Sequence, residues 1–299
     1  METATLEQAL RDHPDDVATW RVYGDRLLAQ GDARGTLIRL EQRHAHVGPV
    51  EREALAREIA ALMEEHRQSW DAALPPGATV LARRYGFATK VAVEWSDDAP
   101  ALIAGALEDR FVTALRIGPS ADVAEDDHDW DDCFDEEDNP IPPPPIEAAA
   151  LATLDLGRLV ELDLAHLRIG DPGAQALAAS TPGGRIRALD LRYCGIGDAG
   201  LAALAASPHF GDVRRLHLQR NALTAEGVRS LARFEHLVEL DLRYNRIGAE
   251  GAEALLAAGF VGSLTRLLLY RGDVSDAGVR KLALAPQLSP ALRNYWRSV

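Results

Sequence analysis

The densest group of chemically active side chains in this sequence is an acidic run, Glu125–Asp138, in which ten of fourteen residues are Asp or Glu. Five carboxylates occupy positions 1, 3, 5, 9 and 12 of a calcium-loop template, namely Asp127, Asp129, Asp131, Asp135 and Asp138. Asp132 replaces the glycine that the turn of such a loop requires, and position 12 is Asp rather than Glu. Calcium binding is therefore one hypothesis for the run, with a partial match to the template.

Two other interpretations of the acidic run stay open. Like charges repel and resist packing, which favours a solvated loop. Alternatively, Asp127, Asp129 and Asp131 could attract a basic partner while Trp130 and Phe134 supply apolar anchors. A stiff polyproline stretch, Pro142–Pro145, follows the run.

The remaining residues give little sign of catalysis or of metal binding. His44 and His46 are two residues apart on a predicted helix, so they point to different faces and make a poor metal pair. The two cysteines, Cys133 and Cys194, fit no zinc spacing. Neither a nucleophile elbow, a phosphate-binding loop nor a zinc-protease motif is present. We expect no catalytic residue, no metal site and no cofactor, and hence a protein that is not an enzyme.

The elements that organise the chain repeat five times between Leu159 and Leu284. Each unit holds a leucine pair, a glycine and a helix leucine, and successive units start 27, 27, 24 and 27 residues apart. The pairs are Leu162/Leu164, Leu189/Leu191, Leu216/Leu218, Leu240/Leu242 and Leu267/Leu269. A period in this range predicts a solenoid, in which neighbouring units bury each other's apolar faces.

Within a unit, alternation around Leu189-Asp190-Leu191 predicts a strand with its leucines inward. Asn221 and Asn245 fill a loop position where a buried amide can bond backbone groups, and Cys194 takes that position one unit earlier. Leu167 and Gly272 stand there in the first and last units, which predicts weaker loops at the two ends.

The helix of each unit has its own predicted start. Gly197-Asp198, or the equivalents Thr224 and Ser275, are expected to supply the N-cap of the helix in each unit. Gly200 is expected to let the helix approach the strand closely, because glycine has no side chain.

Outward-facing residues at equal positions on neighbouring strands should stack about 4.8 Å apart, which arranges them in three columns. The first column is Glu161, Ala188, Arg215, Glu239 and Arg266. The second is Asp163, Asp190, His217, Asp241 and Leu268, and the third is Ala165, Arg192, Gln219, Arg243 and Tyr270.

These columns support two interpretations. One is a polar docking surface that ends in a Leu268/Tyr270 patch, since aromatic and arginine side chains are favoured anchors at interfaces. The other is a lattice of surface ion pairs, each worth about 0–1 kcal/mol. Asp163 and Asp190 would be like-charged neighbours, which Arg192 and Arg215 could offset.

Helix-containing units of this length resemble the ribonuclease-inhibitor type of leucine-rich repeat, and the resemblance covers residues 159–284. It implies an α/β leucine-rich-repeat solenoid, a horseshoe with parallel strands on the concave face and helices outside. Horseshoes of this type include activators of small GTPases, so regulation of such an enzyme in trans is the alternative to a passive protein-binding scaffold.

Two degenerate strands should precede these repeats, around Val91–Val93 and Leu115–Ile117, with a helix between them. The spacing predicts a segment 76–158 of degenerate capping repeats that carries an acidic and proline-rich insertion, 121–147. The five repeats and a C-terminal cap then occupy 159–299, where Tyr295 and Trp296 are candidates to cover the last strand.

Residues 1–75 lack the repeat and predict a small helical N-terminal module. Pro14-Asp15-Asp16, Tyr23-Gly24-Asp25, Gly31-Asp32 and Arg34-Gly35 in this segment resemble the bacterial repeat-companion domain. The family usually has Ala where Gly24 stands, and Trp soon after Asp25. The resemblance implies a module that accompanies repeats in a bacterial protein.

Composition sets limits on location and partners. The net charge is −14, and eleven acidic residues lie within 121–138. Without those eleven residues the net charge of the chain would be only −3. A nucleic-acid partner is not expected without a basic stripe. Two cysteines and an acidic N-terminus without an apolar stretch predict a cytoplasmic protein. No apolar stretch is long enough to predict a membrane span. The oligomeric state is left open.

Overall fold

The structure, a computed structural model, describes residues 2–119, 148–180 and 185–298. The chain divides into two compact units. The N-terminal unit comprises Met1–Ala92 and Gly105–Thr113, and the repeat unit comprises Val93–Ala104 and Ala114–Val299. Among the described residues, no helix has both the length and the apolar character needed to cross a membrane.

Four helices form most of the N-terminal unit, as the sequence predicts. They are α1 (Thr3–Asp12), α2 (Val17–Ala29), α3 (Arg34–His44) and α4 (Pro49–Asp71). Asp16 caps α2 by accepting hydrogen bonds from the amides of Ala18 and Thr19. Apolar side chains of α1, α2 and α3 meet three aromatic residues from later in the chain in one buried cluster: Leu6, Leu10, Trp20, Tyr23, Leu27, Ile38, Tyr85, Phe87 and Phe111.

A hairpin of two strands, β1 (Ala78–Arg84) and β2 (Phe87–Glu94), follows the four helices. Tyr85 and Gly86 join the strands, both with positive φ (50° and 83°). Two such residues are what a tight hairpin turn requires. The sequence predicted the strand around Val91–Val93 but not its partner β1.

Strands and helices alternate through the rest of the chain. The strands are β3 (Ala114–Gly118), β4 (Glu161–Asp163), β5 (Ala188–Asp190), β6 (Arg215–His217), β7 (Glu239–Asp241) and β8 (Arg266–Leu268). The helices are α5 (Ala99–Leu107), α6 (Ala148–Leu151), α7 (Gly170–Ala178), α8 (Asp198–Ala206), α9 (Ala225–Ser230), α10 (Gly248–Ala257), α11 (Arg271–Leu284) and α12 (Pro290–Ser298). Short 3-10 turns follow α8, α9 and α10.

Strands β3 to β8 pair in parallel and in chain order. Their central leucines are in register and buried, namely Leu115, Leu162, Leu189, Leu216, Leu240 and Leu267. The second leucine of each pair is buried as well. The predicted parallel sheet with its leucine core is therefore confirmed.

The loop asparagines tie each repeat to the one before it. The Nδ2 of Asn221 donates to the carbonyl of Leu191 in the preceding repeat at 2.7 Å, and its Oδ1 accepts from the amide of Ile196 at 2.9 Å. Asn245 makes the equivalent bonds to Leu218 and Leu223. These buried amides satisfy backbone groups that water does not reach.

The helix caps also cross between repeats, which the sequence did not predict. Asp171, in the first turn of α7, accepts hydrogen bonds from the amides of Gly197 and Gly200 in the next repeat, at 2.7 and 2.9 Å. Asp198 likewise accepts from the amide of Thr224 at 2.9 Å. Gly197 is the N-cap of α8 and Thr224 that of α9, as the sequence predicted, and Thr224 accepts a hydrogen bond from the amide of Glu226. Ser275 instead lies inside α11, at a non-helical kink.

The repeat glycines make room for these carboxylates. A Cβ placed on Gly200 would lie 2.5 Å from Asp171 Oδ1 and 3.0 Å from both Ala174 Cβ and Ile196 Cγ2. The glycine thus allows close packing between helices of successive repeats and against its own Ile196. The sequence predicted only the close approach of helix and strand, which is one part of the reason that position 200 is glycine.

The C-terminal end of the repeat unit is closed by two features. Buried Asp273 accepts a hydrogen bond from the amide of Tyr270 at 2.6 Å. This bond holds the last loop, although Gly272 stands where Asn221 and Asn245 stand in earlier repeats. Helix α12 packs against α11 and buries Trp296, whereas Tyr295 is exposed. Only one of the two predicted aromatic caps is therefore buried.

Candidate protein-binding face

The outward side chains of β4 to β8 and of the residues just after them form a continuous surface, which we call the polar strand face. Parallel pairing places Asp163 beside Asp190, Asp190 beside His217, and His217 beside Asp241. Sheet-type hydrogen bonds continue past the strands, for example from the amide of Leu218 to Asp241 O at 2.8 Å. The three predicted columns therefore lie side by side.

Asp190 is the centre of a charged cluster on this face. Its two oxygens accept hydrogen bonds from Arg192 Nε and Nη2 at 2.8 and 2.7 Å, and His217 Nδ1 lies 3.5 Å from Oδ2. Burial alone would raise the pKa of Asp190, but the hydrogen bonds from His217 and Arg192 outweigh it and lower the pKa to about 2.

His217 lies between two carboxylates. Its Nε2 is 3.1 Å from Glu239 Oε1, opposite the contact with Asp190. The hydrogen bond to Asp190 raises the pKa of His217, burial opposes that change, and Glu239 raises the pKa further. The protonated imidazolium is therefore stabilised on this face.

A second cluster joins Asp241, Arg243 and Gln219. Arg243 donates from Nε and Nη2 to the carboxylate of buried Asp241 at 2.9 and 2.6 Å, and from Nη2 to Gln219 Oε1 at 3.2 Å. The hydrogen bond to Asp241 raises the pKa of Arg243. Bidentate pairs of this kind fix the guanidinium in one orientation.

The first column is paired along its length. Arg215 lies 3.8 Å from Glu161, and Arg266 donates to Glu239 at 3.1 Å. The expectation that Arg215 would offset Asp163 and Asp190 was wrong for this reason. Arg116 of β3 instead lies 4.0 Å from Asp163, and Asp190 is paired with Arg192.

The apolar part of the polar strand face lies at its β8 end. Leu268 is partly buried, and 42% of Tyr270 is exposed to solvent. The guanidinium of Arg243 lies 5.8 Å from the centre of the Tyr270 ring. The structure therefore brings together all ten predicted strand-face residues: Asp163, Asp190, Arg192, Arg215, His217, Gln219, Asp241, Arg243, Leu268 and Tyr270.

Four side chains on the loops beside this face were missed by sequence reasoning, and together with Tyr270 they form one row. We call it the loop ladder: His166, Tyr193, Arg220, Tyr244 and Tyr270. The imidazole of His166 stacks on Tyr193 with ring centres 4.5 Å apart and planes 14° apart. Arg220 lies over the rings of both Tyr193 and Tyr244, at 5.7 and 5.8 Å, and Tyr244 meets Tyr270 edge to face at 4.9 Å.

Four ladder residues have left-handed backbones although none is glycine. The φ values are 68° at His166, 58° at Tyr193, 52° at Arg220 and 57° at Tyr244. Side chains disfavour this region, and each such residue costs on the order of 1 kcal/mol. The same strained conformation therefore recurs in four successive repeats, where glycine would remove the strain.

A signal for the ladder was present in the sequence. Its first four members each stand one position after the third column, at the repeat spacing. The contacts across repeats were not deducible, since they depend on the left-handed backbone at each position.

The predicted acidic-loop residues, Asp127, Asp129, Trp130, Asp131 and Phe134, lie outside the described residues, as do Asp135 and Asp138 of the calcium hypothesis. Within the described part of the chain, no group of three or more His, Cys, Asp or Glu side chains could hold a metal ion.

The in-register parallel sheet with a helix after each strand defines an α/β repeat protein. Four segments of the chain, residues 159–178, 186–205, 212–232 and 235–256, match the leucine-rich repeat family model. These segments are leucine-rich repeats, and repeats of this family generally mediate protein–protein interaction and are typically non-catalytic. Comparison with curated proteins found no match.

Proposed function

We propose that the protein is a non-catalytic scaffold that binds a protein partner on the polar strand face, which we take to be the concave face of a solenoid. The observation that carries the proposal is the register of β4 to β8, which joins Arg215, His217 and the Leu268/Tyr270 patch in one surface. Ion pairs that are already formed hold the charged side chains in place, so binding costs little additional ordering.

The internal pairing also indicates where binding energy would come from. Asp190 and Asp241 are tied to Arg192 and Arg243 and contribute mainly to the shape of the surface. Tyr270 and the arginines of the first column, Arg215 and Arg266, are more exposed. Central aromatic and arginine side chains are the usual hot spots of interfaces.

Affinity capture from native lysate tests the proposal with the variants Arg215→Glu and Leu268→Arg. Replacing Asp241 would be unsuitable, because this carboxylate is buried and its loss would leave Arg243 without its bidentate partner. The control is Arg229→Glu on α9, an exposed arginine on the helical side of the leucine core. We expect the partner captured by the unaltered protein to be lost with both strand-face variants and kept with the control.

Equal recovery with all variants would contradict the use of the polar strand face. Thermal melting of each variant shows whether the fold is retained, so that lost binding is not confused with unfolding.

The alternative, regulation of a small GTPase or another enzyme in trans, makes a different prediction for the captured partner. A passive scaffold leaves the partner's hydrolysis rate unchanged, whereas a regulator changes it. The cytoplasmic location, the bacterial origin, the absence of nucleic-acid and membrane partners, and the division at 1–75, 76–158 and 159–299 stay predictions.

A further inference from the structure

His217 lies at the middle of the polar strand face. Parallel pairing places it beside Asp190 of β5 and Asp241 of β7. Its side chain is 29% exposed, whereas the two carboxylates that its ring contacts, on Asp190 and Glu239, belong to side chains that are 16% and 18% exposed. A partner that lies on this face therefore covers the imidazole and removes the remaining water from the cluster.

The two ring nitrogens of His217 face acceptors on opposite sides. Nδ1 lies 3.5 Å from Asp190 Oδ2, and Nε2 lies 3.1 Å from Glu239 Oε1. An ionised carboxylate only accepts hydrogen bonds, and a neutral imidazole has one N–H and one lone pair. The imidazolium can therefore donate to both carboxylates, whereas the neutral ring donates to one of them and turns a lone pair towards the other.

Arginines hold both carboxylates in place, so their rotation does not relieve the neutral ring. Arg192 donates to both oxygens of Asp190, and Arg266 donates to Glu239 at 3.1 Å. Burial raises the pKa of Asp190, but hydrogen bonds from His217 and Arg192 lower it to about 2, so this carboxylate stays ionised near neutral pH. Because the contact with Glu239 is the shorter one, we expect the neutral form to keep its proton on Nε2 and to lose the bond to Asp190.

The other charged groups around His217 are paired with one another. Each carboxylate near the ring has an arginine partner. The charged groups that face His217 are Asp190 and Arg192 at β5, Arg215 at β6, Glu239, Asp241 and Arg243 at β7, and Arg266 at β8. Of this set with His217, the histidine is the group whose charge changes near neutral pH. The hydrogen bond with Asp190 raises the pKa of His217 despite burial.

We propose that partner binding on the polar strand face takes up a proton at His217. The inference rests on the proposed function and specifies how pH regulates it. When a partner excludes water, a lone pair held against a carboxylate loses the solvent around it, and a buried acceptor without a donor is costly. The imidazolium has no such unpaired acceptor. The complex therefore favours the protonated ring, and affinity falls as pH rises through the pKa of His217 in the free protein.

A cationic group of the partner placed against Asp190 is the competing arrangement, and it predicts the opposite sign. Such a group would bond the carboxylate that neutral His217 leaves, so affinity would rise with pH. The bidentate pair disfavours this arrangement, because Arg192 already donates to both oxygens of Asp190.

NMR of the full-length protein tests the geometry without a partner. Long-range proton–nitrogen spectra of histidine-labelled protein report which ring nitrogens carry a proton, and His217→Gln identifies the His217 signals by their loss. We expect both nitrogens to be protonated at about pH 6 and one at about pH 8. The midpoint should fall in Glu239→Gln, because a neutral amide stabilises the imidazolium less than a carboxylate does. An unchanged midpoint in Glu239→Gln would overturn the inference.

Biolayer interferometry then measures binding of the partner recovered by affinity capture, at about pH 6 and about pH 8. The ratio of the dissociation constants of His217→Gln and the unaltered protein isolates His217, since titrating groups of the partner affect both proteins alike. We expect this ratio to be about ten at the lower pH, as for one charge-assisted bond, and about one at the higher pH. His236→Gln, at an exposed histidine outside the polar strand face, is the matched control and should give a ratio of about one at both.

A ratio for His217→Gln that is the same at the two pH values, or that rises with pH, would overturn the inference. Failure of this inference is distinguishable from failure of the proposed function. Loss of the captured partner in Arg215→Glu and Leu268→Arg, with the same His217→Gln ratio at both pH values, would retain the function and reject proton uptake. Capture that both strand-face variants leave unchanged would reject the function, and proton uptake on binding with it, even where NMR shows His217 bonded to both carboxylates.

Discussion

His217 Nε2 lies 3.1 Å from Glu239 Oε1, so the side chains of two successive repeats share a proton-dependent contact on the polar strand face. The other ring nitrogen, Nδ1, faces Asp190 at 3.5 Å. A histidine between two carboxylates couples the charge of this face to pH.

The first prediction concerns this histidine. The folded-state pKa of His217 is raised above 6.5, chiefly by the Asp190 hydrogen bond. Its stabilising contribution is therefore fully present below pH 6.5 and is lost as pH rises through the folded-state pKa. We expect the difference in unfolding free energy between the unaltered protein and His217→Gln to shrink across that interval, measured by urea unfolding. The same difference at every pH would contradict the contact.

Asp190 gives a prediction at acid pH with the opposite sign. Its pKa falls from 3.8 to about 2 in the folded protein, through hydrogen bonds from His217 and Arg192 that outweigh the effect of burial. Its contribution, about 2 kcal/mol, is present above pH 3.8 and is lost as pH falls through about 2. Urea unfolding measures the stability that each protein loses as pH falls from 3.8 to about 2. Asp190→Asn should lose less than the unaltered protein, whereas Asp212→Asn, at an exposed carboxylate, should lose as much.

Capping across repeats predicts that a carboxylate in one repeat stabilises the next. Asp198→Ala should destabilise the protein by about 1 kcal/mol, because the amide of Thr224 loses its acceptor. Asp212 makes an exposed ion pair with Arg185 at 4.0 Å. Asp212→Ala should therefore change stability by less than about 0.5 kcal/mol. Thermal unfolding of both variants measures the difference, and equal effects would argue against a cap.

Close packing at Gly200 predicts a specific dependence on Asp171. Gly200→Ala should cost about 1–3 kcal/mol, since the new methyl would lie 2.5 Å from Asp171 Oδ1. Gly211→Ala is the control, because its methyl would come no closer than 3.7 Å to any neighbour. In the Asp171→Ala background the cost of Gly200→Ala should be smaller, as a double-mutant cycle by urea unfolding would show. If the costs of Asp171→Ala and Gly200→Ala simply add, the cost of Gly200→Ala does not come from contact with Asp171.

The loop amide of Asn221 predicts a larger loss than a surface change. Asn221→Ala removes hydrogen bonds to Leu191 O, Leu218 O and the amide of Ile196 in a buried loop. We expect a cost of about 3 kcal/mol in urea unfolding. Asn221→Cys should cost less, because the buried thiol of Cys194 donates to Leu164 O from the same position one repeat earlier. A larger loss with Cys than with Ala would show that size, not bonding, governs the position.

Much of the repeat unit follows from local pattern. Leucines at alternate positions must turn to one side of a strand, so Leu189 and Leu191 determine which residues lie inward and that Asp190 lies on the other side. The recurrence of the leucine pair in every repeat, at intervals of 27, 27, 24 and 27 residues, then predicts the register. For the same reason, alternation and spacing alone predict the three columns of the polar strand face, including the neighbours Asp163 and Asp190.

The sequence by itself determined the leucine core, the helix after each strand and the residues that share the polar strand face, because side-chain alternation and repeat length are local properties. Only the tertiary structure decided which charges pair, that Asp171 caps a helix 26 residues later, and that His166, Tyr193, Arg220, Tyr244 and Tyr270 form a ladder. These features depend on how far apart successive repeats lie and on left-handed backbones at non-glycine residues, and local composition encodes neither.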